Sequence, residues 1–151
     1  MKDVLLVYAS MSGNTEAIAD LIEEGLKEEK VNVTKVDVVD CDPNMLNAFD
    51  AIVLGAYTWG DGELPDEFLD LYDEMATLDF SDKQFAVFGS GDTAYEIFCG
   101  AVDLLEAMVE ERNGVVVQQG LKIELSPDGE EETCKEFGRQ FAKAINLKTS
   151  V

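Results

Sequence analysis

No histidine occurs among the 151 residues, and the three cysteines, Cys41, Cys99 and Cys134, form an odd set without C-x-x-C spacing. With these two shortages neither a zinc or iron–sulfur centre nor a disulfide framework is supported, so redox chemistry, if any, must come from a bound organic group. Basic residues are scarce as well: 11 Lys and Arg stand against 32 Asp and Glu, a formal net charge of −21. Such a chain repels nucleic acid and anionic lipid, and a macromolecular partner should offer a basic surface. The plainer use of the same acidity is solubility. Long apolar runs are missing. Met1 to Tyr8 is apolar for too few residues to be a secretory h-region and nothing later approaches a membrane span, so a cytoplasmic location and no membrane contact are expected. No Pro-rich, Ser-rich or repetitive stretch offers a linker. With 46% hydrophobic residues, the chain is expected to bury one core as a single domain over residues 1–151.

What is present is an alternation of β-rich apolar runs with segments of helical period. Strands are expected at Val4 to Tyr8, Val33 to Val38, Ala51 to Leu54, Phe85 to Phe88 and Val115 to Val117, the last continuing weakly through Leu121 to Ile123. The first, third and fourth are near-continuous hydrophobic runs, as strands covered on both faces require. Between them, Ile18, Leu21, Ile22, Gly25 and Leu26 make one helical stripe, and Phe68, Leu71, Tyr72 and Met75 make another behind Pro65. Val102, Leu105 and Val109 make a third, and Phe137, Phe141, Ala144 and Ile145 a fourth, with Asp128 and Glu131 spaced as a capping box. Cys41 to Phe49 reads as no more than a short turn of helix. Repeated βα units in one domain predict an α/β fold with an open, doubly wound parallel sheet, whose ligands sit beyond the carboxyl ends of the strands.

Three loops at those ends carry the chemistry. Ser10-Met11-Ser12-Gly13-Asn14-Thr15 leads into the first helix and offers hydroxyls, an amide and the unpaired N–H groups of a helix N-terminus to an anion. It holds no Lys or Arg and no Gly-Lys-Ser/Thr, which points to a monophosphate held by neutral donors rather than a triphosphate awaiting hydrolysis. The bland alternative is an ordinary N-cap. In the second loop, Ala56 to Glu63, the only tryptophan of the chain, Trp59, stands in a turn beside Gly60, Asp61 and Gly62, a stacking platform for a planar ligand unless it merely closes the core. The third loop, Gly89 to Ala101, offers Tyr95 as a facing aromatic. Its Gly89-Ser90-Gly91-Asp92-Thr93-Ala94 matches G-x-G-x-x-A, but about 20 positions on, where a dinucleotide fold needs an acid at a strand end, stand Glu110 and Glu111 in a helix, so that reading is rejected. Cys99 has no cation near it in sequence to lower its pKa and reads as an inert thiol.

Taken together, these loops resemble those of the flavodoxin family, short-chain branch, over essentially the whole chain. The resemblance implies a five-stranded sheet of order 2-1-3-4-5 with helices on both faces, and FMN as cofactor. It implies that Ser10, Met11, Ser12, Gly13, Asn14 and Thr15 form the phosphate loop. Trp59, after Thr58, would stack on the inner flavin face, with the Gly60-Asp61 peptide beside flavin N5. Ser90, Gly91, Asp92, Tyr95, Phe98 and Cys99 would form the loop over the outer face. The implied function is that of a low-potential one-electron carrier, with no catalytic residues or metal of its own, working as a monomer. Its partners would be basic-surfaced redox proteins: an NAD(P)H-dependent flavodoxin or ferredoxin reductase, and acceptor oxygenases or other redox enzymes. The rival readings are an FMN oxidoreductase of the same fold and a flavoprotein dedicated to activating one metalloenzyme. A phosphoryl-receiving domain of the same topology fails, because Tyr8-Ala9-Ser10 and Gly55-Ala56 stand where it needs acidic residues.

Overall fold

The computed structural model describes residues 3–10, 13–58, 62–91 and 99–149. In chain order the elements are β1 (Asp3–Ala9), α1 (Asn14–Glu28), β2 (Asn32–Asp37), a single 3-10 turn (Val38–Asp40), α2 (Pro43–Ala48), β3 (Ala51–Tyr57), α3 (Asp66–Met75), β4 (Gln84–Gly91), α4 (Gly100–Glu111), β5 (Val115–Val116), β6 (Leu121–Glu124) and α5 (Glu131–Thr149). The strands form one parallel sheet in the order β2-β1-β3-β4-β5, with β6 also paired to β4. Both β5 and β6 run parallel to β4, the first against Gln84 and Phe85, the second against Phe88 to Gly91. They are two halves of one fifth position, which is the weakly continuing strand the sequence predicts.

Alternation along the strands divides the core in two. Leu5, Val7 and Ala9 of β1, Ile52, Leu54 and Ala56 of β3, and Phe85 and Val87 of β4 are buried on one face with Leu46 of α2, Phe68, Leu71 and Met75 of α3 and Val102, Leu105 and Val109 of α4. The intervening residues, Val4, Leu6, Tyr8, Ala51, Val53, Ala86 and Phe88, are buried on the other with α1 and α5. Because every second side chain of a strand changes face, residues apolar at all positions fit only a strand sandwiched between helices. The helices α1 and α5 meet at glycines: a Cβ on Gly25 would lie 2.0 Å from the Lys135 carbonyl oxygen, and one on Gly138 would lie 2.3 Å from that of Ile22.

Two expectations are corrected. Gly55 to Tyr57 and Gly89 to Gly91, expected outside the strands, are the last residues of β3 and β4. Central pairing holds them extended despite the low strand propensity of glycine. The Asp128 to Glu131 capping box is not formed. The chain turns first, with Gly129 at φ +85°, the helix starts at Glu131, and the Glu131 carboxylate accepts from the Gly129 N–H at 3.1 Å.

Candidate functional site

Ala9, Ala56 and Gly89 stand in one row across β1, β3 and β4. The three loops singled out in the sequence therefore leave the sheet along one edge, the first and third about 10 Å apart at two strand spacings. A cleft of about 560 Å³ lined by Asp3, Thr34, Phe49, Asp50 and Gln84 opens at the opposite end, where the strands begin and where doubly wound sheets do not bind their ligands.

At the first loop the chain enters α1 through Gly13, which has φ +90° and ψ −9° and gives the helix no side-chain cap. A left-handed backbone is natural to glycine and strained for other residues. Gly13 donates its own N–H to Ser10 Oγ at 3.1 Å, so the Ser10 hydroxyl keeps its proton for a further acceptor. Among the described residues nothing lies within 4 Å of where a Gly13 Cβ would be, so they leave the approach open. The first-turn N–H groups of a helix have no partner within it; those of Asn14, Thr15 and Glu16 are in that position, with the positive end of the helix dipole behind them. An anionic oxygen fits this donor set. Glu16 is an acid in the first turn, and its carboxylate accepts from Tyr8 Oη at 2.9 Å. Burial first, then this bond to Glu16, pushes the Tyr8 phenol up to about 12, so it stays a donor.

Thr15 is only 1% exposed, and its hydroxyl lies 2.8 Å from that of Ser90, itself 4% exposed, at the end of β4. The Thr58 N–H donates to the Ser90 carbonyl at 2.9 Å, and Thr58 Oγ1 accepts from the Ala101 N–H at 3.2 Å. The Gly91 carbonyl accepts from Leu125 N–H at 2.7 Å. A chain of hydrogen bonds thus joins the start of α1, the ends of β3 and β4 and the start of α4. Sequence reasoning named Thr15, Ser90 and Thr58 individually but missed these links, together with Leu125 and Ala101, because no local pattern marks them.

Cys99 caps α4 in the left-handed region, φ 53°. Its thiol is fully buried, 3.9 Å from the Gly89 carbonyl oxygen and 3.8 Å from that of Ile123. Burial pushes it up to about 11, which fits the inert reading. Of the predicted site residues, Ser10, Gly13, Asn14, Thr15, Thr58, Ser90, Gly91 and Cys99 are thus gathered at one edge of the sheet. Met11, Ser12, Trp59, Gly60, Asp61, Asp92, Tyr95 and Phe98 lie outside the described residues. Among the described residues there is no cluster of His, Cys, Asp and Glu able to hold a metal ion, and no helix is long and apolar enough to cross a membrane.

The flavodoxin family model matches residues 6–138. The chain is 59% identical over 145 residues to a protein of Bacillus subtilis named probable flavodoxin 2, covering 95% of this chain and 96% of that one. It is 37% identical over 134 residues to a flavodoxin of Maridesulfovibrio salexigens, covering 87% and 92%. The crystal structure of oxidised flavodoxin 2 from Bacillus cereus superposes with a TM-score of 0.90 at 49% identity, covering 93% of this chain and 98% of that one.

Proposed function

Because the chain belongs to the flavodoxin family, we propose that it is a cytoplasmic, monomeric, single-domain carrier that holds FMN at the carboxyl edge of its sheet and passes electrons singly between proteins. Members of this family are electron-transfer proteins rather than enzymes that turn over a substrate. The observation that carries the reading is the start of α1: a glycine-capped helix with no side-chain cap, level with the ends of β3 and β4, is built to receive an anion at the place where a ring can be held by the two adjoining loops. Bound FMN supplies a ring that accepts and returns one electron at a time.

The chain's own residues supply the rest. Ser10, Ser12, Asn14 and Thr15 would donate to the phosphate alongside the first-turn N–H groups, with no cation needed. Trp59 and Tyr95 would cover the two ring faces and exclude water, which would leave an edge for exchange with another protein rather than a pocket for a second substrate. The Gly60-Asp61 peptide would offer the ring's N5 a carbonyl acceptor, and glycine would allow that peptide either orientation. The acidic excess both disfavours additional negative charge in the site, which lowers its reduction potential, and steers basic-surfaced reductases and acceptors to it.

Titration of the apoprotein with FMN and with riboflavin tests the reading. One FMN should bind per chain far more tightly than riboflavin, with quenching of Trp59 emission. Equal affinity for the two flavins would remove the phosphate assignment, and unchanged emission would place the tryptophan elsewhere.

A further inference from the structure

We propose that Ser90, at the end of β4, is a positioning residue that sets the preference for a phosphorylated flavin by bracing Thr15 in the first turn of α1; this rests on the FMN reading above. The two hydroxyls are 75 residues apart in sequence and 2.8 Å apart in space. They are almost wholly buried, at 1% and 4% exposure, where an unpaired hydroxyl is costly.

Ser90 is a fixed post. Its strand is paired on both sides, with Tyr57 of β3 and Ile123 of β6 in register with it, and its carbonyl is held by the Thr58 N–H. Thr15 is the movable partner. It is the second residue of α1, so its own N–H is among the donors with no partner inside the helix. Its β-branched side chain has few rotamers, so an anchored hydroxyl fixes the backbone that carries it. The strand leading to α1 is β1, which is separated from β4 by β3. The hydroxyl pair is therefore a brace laid across β3, and it aims the first-turn donors from the strand whose following loop is assigned to the ring.

A brace that served stability alone would, when cut, weaken all flavins equally. Ser90→Ala should instead lower FMN affinity about tenfold more than riboflavin affinity, a difference of about 1.4 kcal/mol. Thr15→Val should show the same selective loss while Thr15→Ser, which keeps the hydroxyl, should not. The double variant Thr15→Val/Ser90→Ala should bind FMN no more weakly than Thr15→Val alone. Fluorescence titrations of the apoproteins, each checked by far-ultraviolet circular dichroism, give these ratios. If Ser90→Ala does not fold, Ser90→Cys, which keeps the volume of the side chain and weakens its hydrogen bond, takes its place in the same comparison. Equal losses for both flavins, or additive losses in the double variant, overturn the inference. So does an FMN preference that Ser90→Ala leaves intact, in which case the FMN reading itself stands. A parent protein with no preference for FMN overturns both.

Discussion

Gly25→Ala places a methyl group between α1 and α5. The added Cβ would stand 2.0 Å from the Lys135 carbonyl oxygen and 2.8 Å from its carbonyl carbon, against the 3.4 Å at which ordinary contact begins. The obstacle is backbone, so no side chain can turn aside, and the helices must part by more than an ångström. In an exposed helix the same change would gain up to about 1 kcal/mol of helix propensity. Here that gain is outweighed by overpacking, at about 1 to 3 kcal/mol, and by dispersion lost as the gap opens across Ile22, Leu26, Cys134, Phe137 and Phe141. The expected net loss is about 2 to 4 kcal/mol, or roughly 5 to 15 °C in Tm for a chain of this size. Urea and thermal unfolding of the apoprotein measure it without a contribution from bound flavin. Gly138→Ala should cost a similar amount, and the two together little more than one, because a single separation relieves both clashes. A Gly25→Ala protein as stable as the parent would refute the close helix crossing.

Three further outcomes follow from charge and burial. Burial would raise the Glu23 carboxyl, but hydrogen bonds from Lys35 and Lys27 more than offset it and hold it below the usual value, so its contribution is present above pH 4.5 and lost as pH falls through the lowered value. Glu23→Gln should therefore cost a few tenths to about 1 kcal/mol at pH 7, given partial solvent screening, and nothing near pH 2; a cost that persists there would mean packing, not charge, is at stake. Burial pushes the thiols of Cys41, Cys99 and Cys134 each up to about 11, so iodoacetamide at pH 8 should alkylate the native protein far more slowly than the urea-unfolded one, as intact mass would show. Electron exchange with a basic reductase should slow as ionic strength rises from about 0.01 to 0.15 M, where the Debye length falls from roughly 30 to 8 Å; a flat rate would leave the acidity to solubility alone.

How much of this was legible in the sequence depends on whether the signal is local. The cores of β1, β3 and β4 announce themselves because burial on both faces permits no polar interruption, and the stripes of α1, α3, α4 and α5 because one face of each is buried. The last residues of β3 and β4 do not. Gly55, Gly89 and Gly91 look like turn residues, yet the space over Gly55 is taken by the Phe88 ring, whose Cζ lies 2.0 Å from where its Cβ would be. That fit depends on a neighbouring strand and leaves no local trace. The same contrast holds at the site. Hydroxyls and amides clustered ahead of a helical stripe mark the first loop, because anion binding there uses residues adjacent in sequence. The Thr15–Ser90 brace is invisible beforehand, since it depends on how α1 settles across β3.

Anaerobic stepwise reduction of the FMN-loaded protein, followed by its visible spectrum, shows whether FMN is held here for one-electron exchange. Two resolved one-electron stages at separate potentials are expected, the second low because negative charge is added within an acidic chain. Reduction in a single two-electron step, with no separable first stage, would contradict this and favour an oxidoreductase.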